Sequence, residues 1–114
     1  MPWSHYVAYF FGGAFLANAL PHLDAGVSGQ PLQTPFASPP FKGLSSPVVN
    51  VAWALVNLAV AYLLVVRVGS FDLRSWSDVG VGLAGFGAMA LQCARSFGRL
   101  REETRREQPG SKVR

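Results

Sequence analysis

The sequence predicts an all-α protein, an integral membrane bundle of three helices, on three observations. Half of its 114 residues are apolar and only 14% are charged, where an average soluble domain carries about 25% charged residues. Charge is missing from whole stretches long enough to cross a bilayer. The net charge of +4 sits at one end: from Arg95 onward seven Lys and Arg face three Glu, whereas Lys42, Arg67 and Arg74 before it balance Asp24, Asp72 and Asp78. The basic balance therefore describes a terminus and not a nucleic-acid-binding face, and no nucleic-acid partner is expected.

The first element runs over residues 3–20. No Lys, Arg, Asp or Glu occurs from Met1 to Leu23, and 18 helical residues reach about 27 Å, close to the roughly 30 Å of a hydrocarbon core. Trp3, Tyr6 and Tyr9 suit an interfacial belt, and Pro21, Asp24 and Gly26 mark the exit. Ala17-Asn18-Ala19 imitates the cleavage site of a secretory signal, but such signals open on basic residues and none precedes Lys42.

Residues 24–47 change to Pro, Gly, Ser and Gln, with Pro31, Pro35, Pro39, Pro40 and Pro47 forbidding a regular helix. The segment is expected to be a long loop, either a surface linker or one that dips Phe36, Phe41 and Leu44 onto the bundle end. Residues 48–66 are uncharged and rich in Val, Leu and Ala, opened by Ser45-Ser46-Pro47 and closed by Arg67 and Gly69, and they make the clearest span. A polar linker over residues 70–78 follows. Residues 79–94 give a shorter third span of about 24 Å. Beyond it the helix is expected to run into water through Arg99–Glu103 and Glu102–Arg106 pairs until Pro109-Gly110. The organisation is thus a transmembrane domain over residues 1–98 and a basic tail over 99–114.

Three spans put the tail and the 24–47 loop on one side with eight basic residues, against Arg67 and Arg74 on the other. By the positive-inside rule the N-terminus lies outside and the C-terminus in the cytoplasm.

Gly80-Val81-Gly82-Leu83-Ala84-Gly85 matches the dinucleotide-binding fingerprint in letters only, because no strand precedes it. Helix packing is the better reading: Gly80, Ala84 and Ala88 fall at i, i+4 and i+8, and small residues let backbones approach where lipid supplies no hydrophobic drive. Asn18 and His22 share one face of the first span, and Asn50, Trp53 and Asn57 one face of the second. The chain enters and leaves the same loop here, so Asn18, His22 and Asn50 must lie near one membrane surface. Asn18, His22, Asn50 and Asn57 are the candidate ligand-binding residues, with interhelical hydrogen bonding as their structural alternative. His5 and His22 stand about 25 Å apart along the first helix and cannot share a metal. No acid lies within a span, and no Ser, His and Asp have nucleophile-and-base spacing. Neither catalytic residue, metal nor cofactor is expected. The single cysteine, Cys93, allows no intrachain disulfide.

The runs Pro21-His22, Pro35-Phe36-Ala37-Ser38-Pro39-Pro40 and Ser45-Ser46-Pro47-Val48-Val49-Asn50 resemble small, uncharacterised bacterial integral membrane proteins. The resemblance implies a bacterial cytoplasmic (inner) membrane and carries over no activity and no site residue. The function expected is that of a non-enzymatic structural or accessory subunit, homo-oligomeric or part of a larger membrane complex, assembling through the Gly80/Ala84/Ala88 face in the lipid bilayer. The alternative is a small transporter subunit, or a binder of lipid- or quinone-type ligands, with a pocket under the loop.

Overall fold

The computed structural model describes residues 2–107 and consists chiefly of three helices. Helix α1 (Trp3–Val27) leads through two-residue strands β1 (Leu32–Gln33) and β2 (Leu44–Ser45) into α2 (Pro47–Tyr62). A π-helical stretch, Leu63–Val68, prolongs α2, and α3 (Trp76–Arg106) ends the described chain. The strands pair antiparallel, Leu32 opposite Ser45 and Gln33 opposite Leu44. Helix α1 is the middle of the bundle. It packs along both α2 and α3, which scarcely meet each other.

Two boundaries differ from the sequence reading. Pro21 does not end the first helix, which continues to Val27. A proline forfeits one backbone hydrogen bond and crowds the preceding turn, but the turns beyond Pro21 are held from outside: His22 is buried and Gly26 packs on the Pro47 carbonyl and Val51 of α2. The stop comes at Gly29, whose φ of 72° only glycine adopts freely, with Gln30 N–H donating back to Ala25 O at 2.8 Å. Helix α3 starts at Trp76, three residues before the expected span. Ser75 caps it by accepting from Asp78 N–H at 3.2 Å, and Asp78 accepts from Asp72 N–H at 3.1 Å. A carboxylate in the first turn also complements the helix dipole. Asp78 looked like a loop residue and is buried.

The 28–46 segment is an ordered cap. The Thr34 hydroxyl bonds that of Ser45 and accepts from Phe36 N–H, while Thr34 O accepts from Phe41 N–H at 2.9 Å. Helix α2 begins as its sequence signals, with Pro47 in the first turn and Ser46 Oγ accepting from Val49 N–H. At the opposite end of the bundle Tyr9 Oη accepts from Ser70 N–H at 3.0 Å, and its ring meets Phe71 edge-on. At the C-terminal end Glu102 pairs with Arg105 and, at 3.9 Å, with Arg106. Pro109 and Gly110, the expected end of that helix, lie outside the described residues.

The interior is made of small and polar groups. The buried apolar residues are alanines and Tyr9, and the largest fully buried side chains are Tyr9, Asn50, Asn57, Thr34 and Asp78. Large apolar residues lie outside: Phe11, Leu16, Leu55, Val56, Leu63 and Leu83 are among those exposed. Among the described residues one helix, Pro47–Val68, is long and apolar enough to cross a membrane, and 22% of its most apolar stretch is buried within the chain. A core helix of a soluble protein would be mostly covered.

Candidate functional site

The polar residues singled out in α1 and α2 meet beneath the cap. His22 Nδ1 lies 2.7 Å from Asn50 Oδ1, and Asn18 Nδ2 donates to Asn57 Oδ1 at 3.0 Å. The spacing of four between Asn18 and His22 on α1, and of seven between Asn50 and Asn57 on α2, sets these as two rungs between the helices. Asn57 Nδ2 donates to Trp53 O at 2.8 Å, and Asn50 Nδ2 faces the carbonyls of Leu32, Ser45 and Ser46 at 3.1–3.2 Å. Asn50 thereby ties both strands of the cap to α2 and α1. Asn50 and Asn57 are 0% exposed, and these hydrogen bonds of theirs are all internal.

Asn50 also fixes the chemistry of His22. Carbonyl oxygens only accept, so the amide nitrogen of Asn50 must face them and its oxygen must face the imidazole. Nδ1 of His22 is then the donor, and in the neutral ring Nε2 carries the lone pair. His22 is 3% exposed, and Phe97 meets its ring edge-on at 5.8 Å. Nε2 has no hydrogen-bond partner among the described residues, and no sealed side-chain N or O atom among them lacks one. The nitrogen therefore opens into the adjoining cavity, about 400 Å³, bounded by Asn18, Gln33, Phe41, Trp53, Gln92 and Phe97.

Helix α3 supplies the wall that sequence reasoning missed. Gln92, Cys93, Ser96 and Phe97 fall on the side turned to α1 at the end beneath the cap, with Gln92 Nε2 donating to Ser96 Oγ at 3.1 Å and the Cys93 thiol 3.5 Å from Asn18 Oδ1. A polar pair at i, i+4 beside Phe97 was the available signal. The contact between α3 and α1 is made by Gly82 and Gly85: a Cβ on Gly13 would overlap the Gly82 carbonyl, and one on Gly85 the Phe10 carbonyl. Gly80, Ala84 and Ala88 lie rather more than a third of a turn away and are exposed, Gly80 with nothing within 4 Å of where a Cβ would stand.

A second cavity of about 550 Å³ adjoins the first at Gln33 and Phe97 and is bordered by Lys42, Arg101 and Arg105. Among the described residues no three His, Cys, Asp or Glu side chains gather as ligands for a metal ion. Compared with known protein families, with curated proteins and with solved structures, the chain matches none.

Proposed function

We propose that the chain is a three-span membrane protein of the bacterial cytoplasmic membrane that serves as a non-enzymatic accessory subunit. The observation that carries this reading is the inverted burial: Asn50, Asn57, Thr34 and Asp78 inside, Phe11, Leu16, Leu55 and Leu83 outside. Water would reverse that arrangement, since exposing large apolar side chains costs about 25 cal/mol per Å². In lipid, small residues at helix contacts and polar groups as interhelical glue are the expected interior. Helix α1 is less apolar than α2 through Gly12, Gly13, Asn18 and His22, and α3 through its glycines and the charged turns from Arg95 onward.

The cap and the tail lie at one end, where Lys42 and Arg101 border one cavity. With Arg95, Arg99, Arg105 and Arg106 they outnumber Arg67 and Arg74 at the other end, which supports a cytoplasmic cap and tail and an outward N-terminus. Thiol labelling of intact cells tests the topology, on a Cys93→Ala background carrying Ser38→Cys, Ser75→Cys or Glu107→Cys singly. Ser75→Cys should react with an impermeant maleimide from outside and the other two only after permeabilisation. Labelling of Ser38→Cys from outside while Glu107→Cys stays protected would remove the three-span arrangement, and labelling of both from outside would invert it.

Assembly through the stripe Gly80, Ala84 and Ala88 rests on its exposure and on α3 having only α1 beside it. Ala84→Leu should shift the purified protein to a smaller species in crosslinking and size-exclusion experiments while its unfolding midpoint stays unchanged. An unaltered assembly would move the interface to another face.

A further inference from the structure

The cavity beside His22 holds an acceptor without a donor. We infer that it binds the head of a phenolic or quinol lipid, whose hydroxyl donates to His22 Nε2 while its ring lies among Phe41, Trp53 and Phe97. This site stands on the His22 cavity alone and holds however many helices cross the bilayer.

Four observations converge on that class of ligand. The first is the direction of the hydrogen bond. Asn50 Oδ1 takes the Nδ1 proton and the remaining nitrogen of the neutral ring can only accept, so the ligand must bring a donor. A ketone or an ether offers none. Second, His22 is 97% withdrawn from solvent, being 3% exposed, where a donor supplied by a ligand is not in even exchange with bulk water.

The walls give the third. Trp53 and Phe97 flank the cavity, with Phe41 on the cap above, and aromatic side chains prefer offset or edge-on contact with another ring. The amides of Gln33 and Gln92 border the same space, where a second oxygen on the ring would meet them. A volume of about 400 Å³ lies within the usual range for small-ligand sites.

The fourth is where a tail would go. Asn18, Trp53, Met89 and Gln92 also border a neighbouring groove of about 370 Å³, which continues along Phe10, Phe11 and Phe15 toward the middle of the bundle. Its lining is apolar apart from the Asn18, Asn57 and Gln92 amides at the cavity end. Head cavity and tail groove therefore join end to end, which suits an amphipathic lipid and not a compact polar solute.

The test uses the full chain in detergent micelles with Trp3→Phe and Trp76→Phe, both exposed positions, so that Trp53 alone reports. Titration with p-heptylphenol should give saturable quenching, and p-heptylanisole, the same shape with its hydroxyl methylated, should bind about ten-fold or more weakly, as expected when a buried acceptor is left unmatched. His22→Phe should bring the phenol down to the level of the ether. Ser96→Leu, which puts a larger side chain into the cavity from α3 and replaces neither His22 nor Asn50, should abolish both and decides the matter if His22→Phe does not fold. Equal binding of phenol and ether by the parent protein, or phenol binding that survives Ser96→Leu unchanged, would overturn the assignment.

Discussion

Gly85→Ala should separate the two helices whose contact organises the bundle and leave the protein largely unfolded at detergent compositions where the parent is intact. A methyl group at this position has nowhere to go, because the Phe10 carbonyl and Cα already occupy its place. The obstacle is backbone of the central helix and cannot rotate aside as a flexible side chain would. Relief requires α1 and α3 to move apart along a contact that also includes Gly13 against Gly82 and Phe86. Overpacking a core side chain typically costs about 1–3 kcal/mol, and displacement of a whole helix contact puts Gly85→Ala at or above the upper end. The control lies on the same helix. Gly87 has nothing within 4 Å, so Gly87→Ala should gain about 0.5–1 kcal/mol from helix propensity alone. SDS-driven unfolding in mixed micelles, followed by far-ultraviolet circular dichroism, measures both. Equal midpoints for Gly85→Ala and Gly87→Ala would mean that α1 and α3 do not cross at Phe10.

That contact also shows where the sequence is legible and where it is silent. Spacing alone marks several stripes of small residues on α3, and Gly80, Ala84 and Ala88 satisfy it as well as Gly82 and Gly85 do. What selects the latter is the approach of the Phe10 carbonyl, a feature of a helix some 75 positions away. Helix α2 could be read directly, because an uncharged, mostly apolar run between Ser46-Pro47 and Arg67 has one local interpretation. The end of α1 could not, since Pro21 is a stop signal locally and is overridden only by Gly26 meeting Pro47 and Val51. Asp78 misleads in a similar way: its charge suggested a loop, and it is used at the start of a helix, capping the connector through Asp72 N–H.

The polar cluster was more accessible. Chain connectivity places Asn18, His22 and Asn50 at one end of the bundle, and helical spacing places Asn57 below them. Their partners were not accessible, because the carbonyls that Asn50 binds belong to a cap whose fold depends on the Thr34–Ser45 pair. Phe97, Gln92 and Ser96 escaped notice because Arg95 drew the boundary of the third span through the middle of their wall. A long helix that leaves the apolar layer still has an inner face, and its period of 3.6 continues past the first charge.

Asn50→Leu should detach the cap while leaving the helices assembled. Asn50 Nδ2 donates to Leu32 O, Ser45 O and Ser46 O, and Oδ1 receives His22 Nδ1–H, so one substitution removes every side-chain link between the strand pair and α2 that passes through this residue. A single interhelical hydrogen bond in a membrane protein is worth about 0.6 kcal/mol on average. Asn50 makes one such bond, to His22, and shares its two amide protons among the three carbonyls; with the imidazole donor and two strand carbonyls deprived together, the loss is about 2–4 kcal/mol. The helix contacts at Gly13 and Gly85 are untouched, so the loss should appear locally: amide exchange of residues 30–46 should accelerate well before that of α1 and α3. Asn57→Leu supplies the comparison. It breaks one rung, Asn18 to Asn57, and a bond to its own helix at Trp53 O, and it should cost about 1 kcal/mol with no effect on the cap. Asn50→Asp separates the two roles of the residue, since the carboxylate keeps an acceptor for His22 but turns an oxygen toward carbonyls that need a donor; it should loosen the cap at least as much as Asn50→Leu. If instead the cap of Asn50→Leu exchanges at the parent rate, the hairpin is held by Thr34 and Ser45 alone and the amide is a helix-packing group like Asn57.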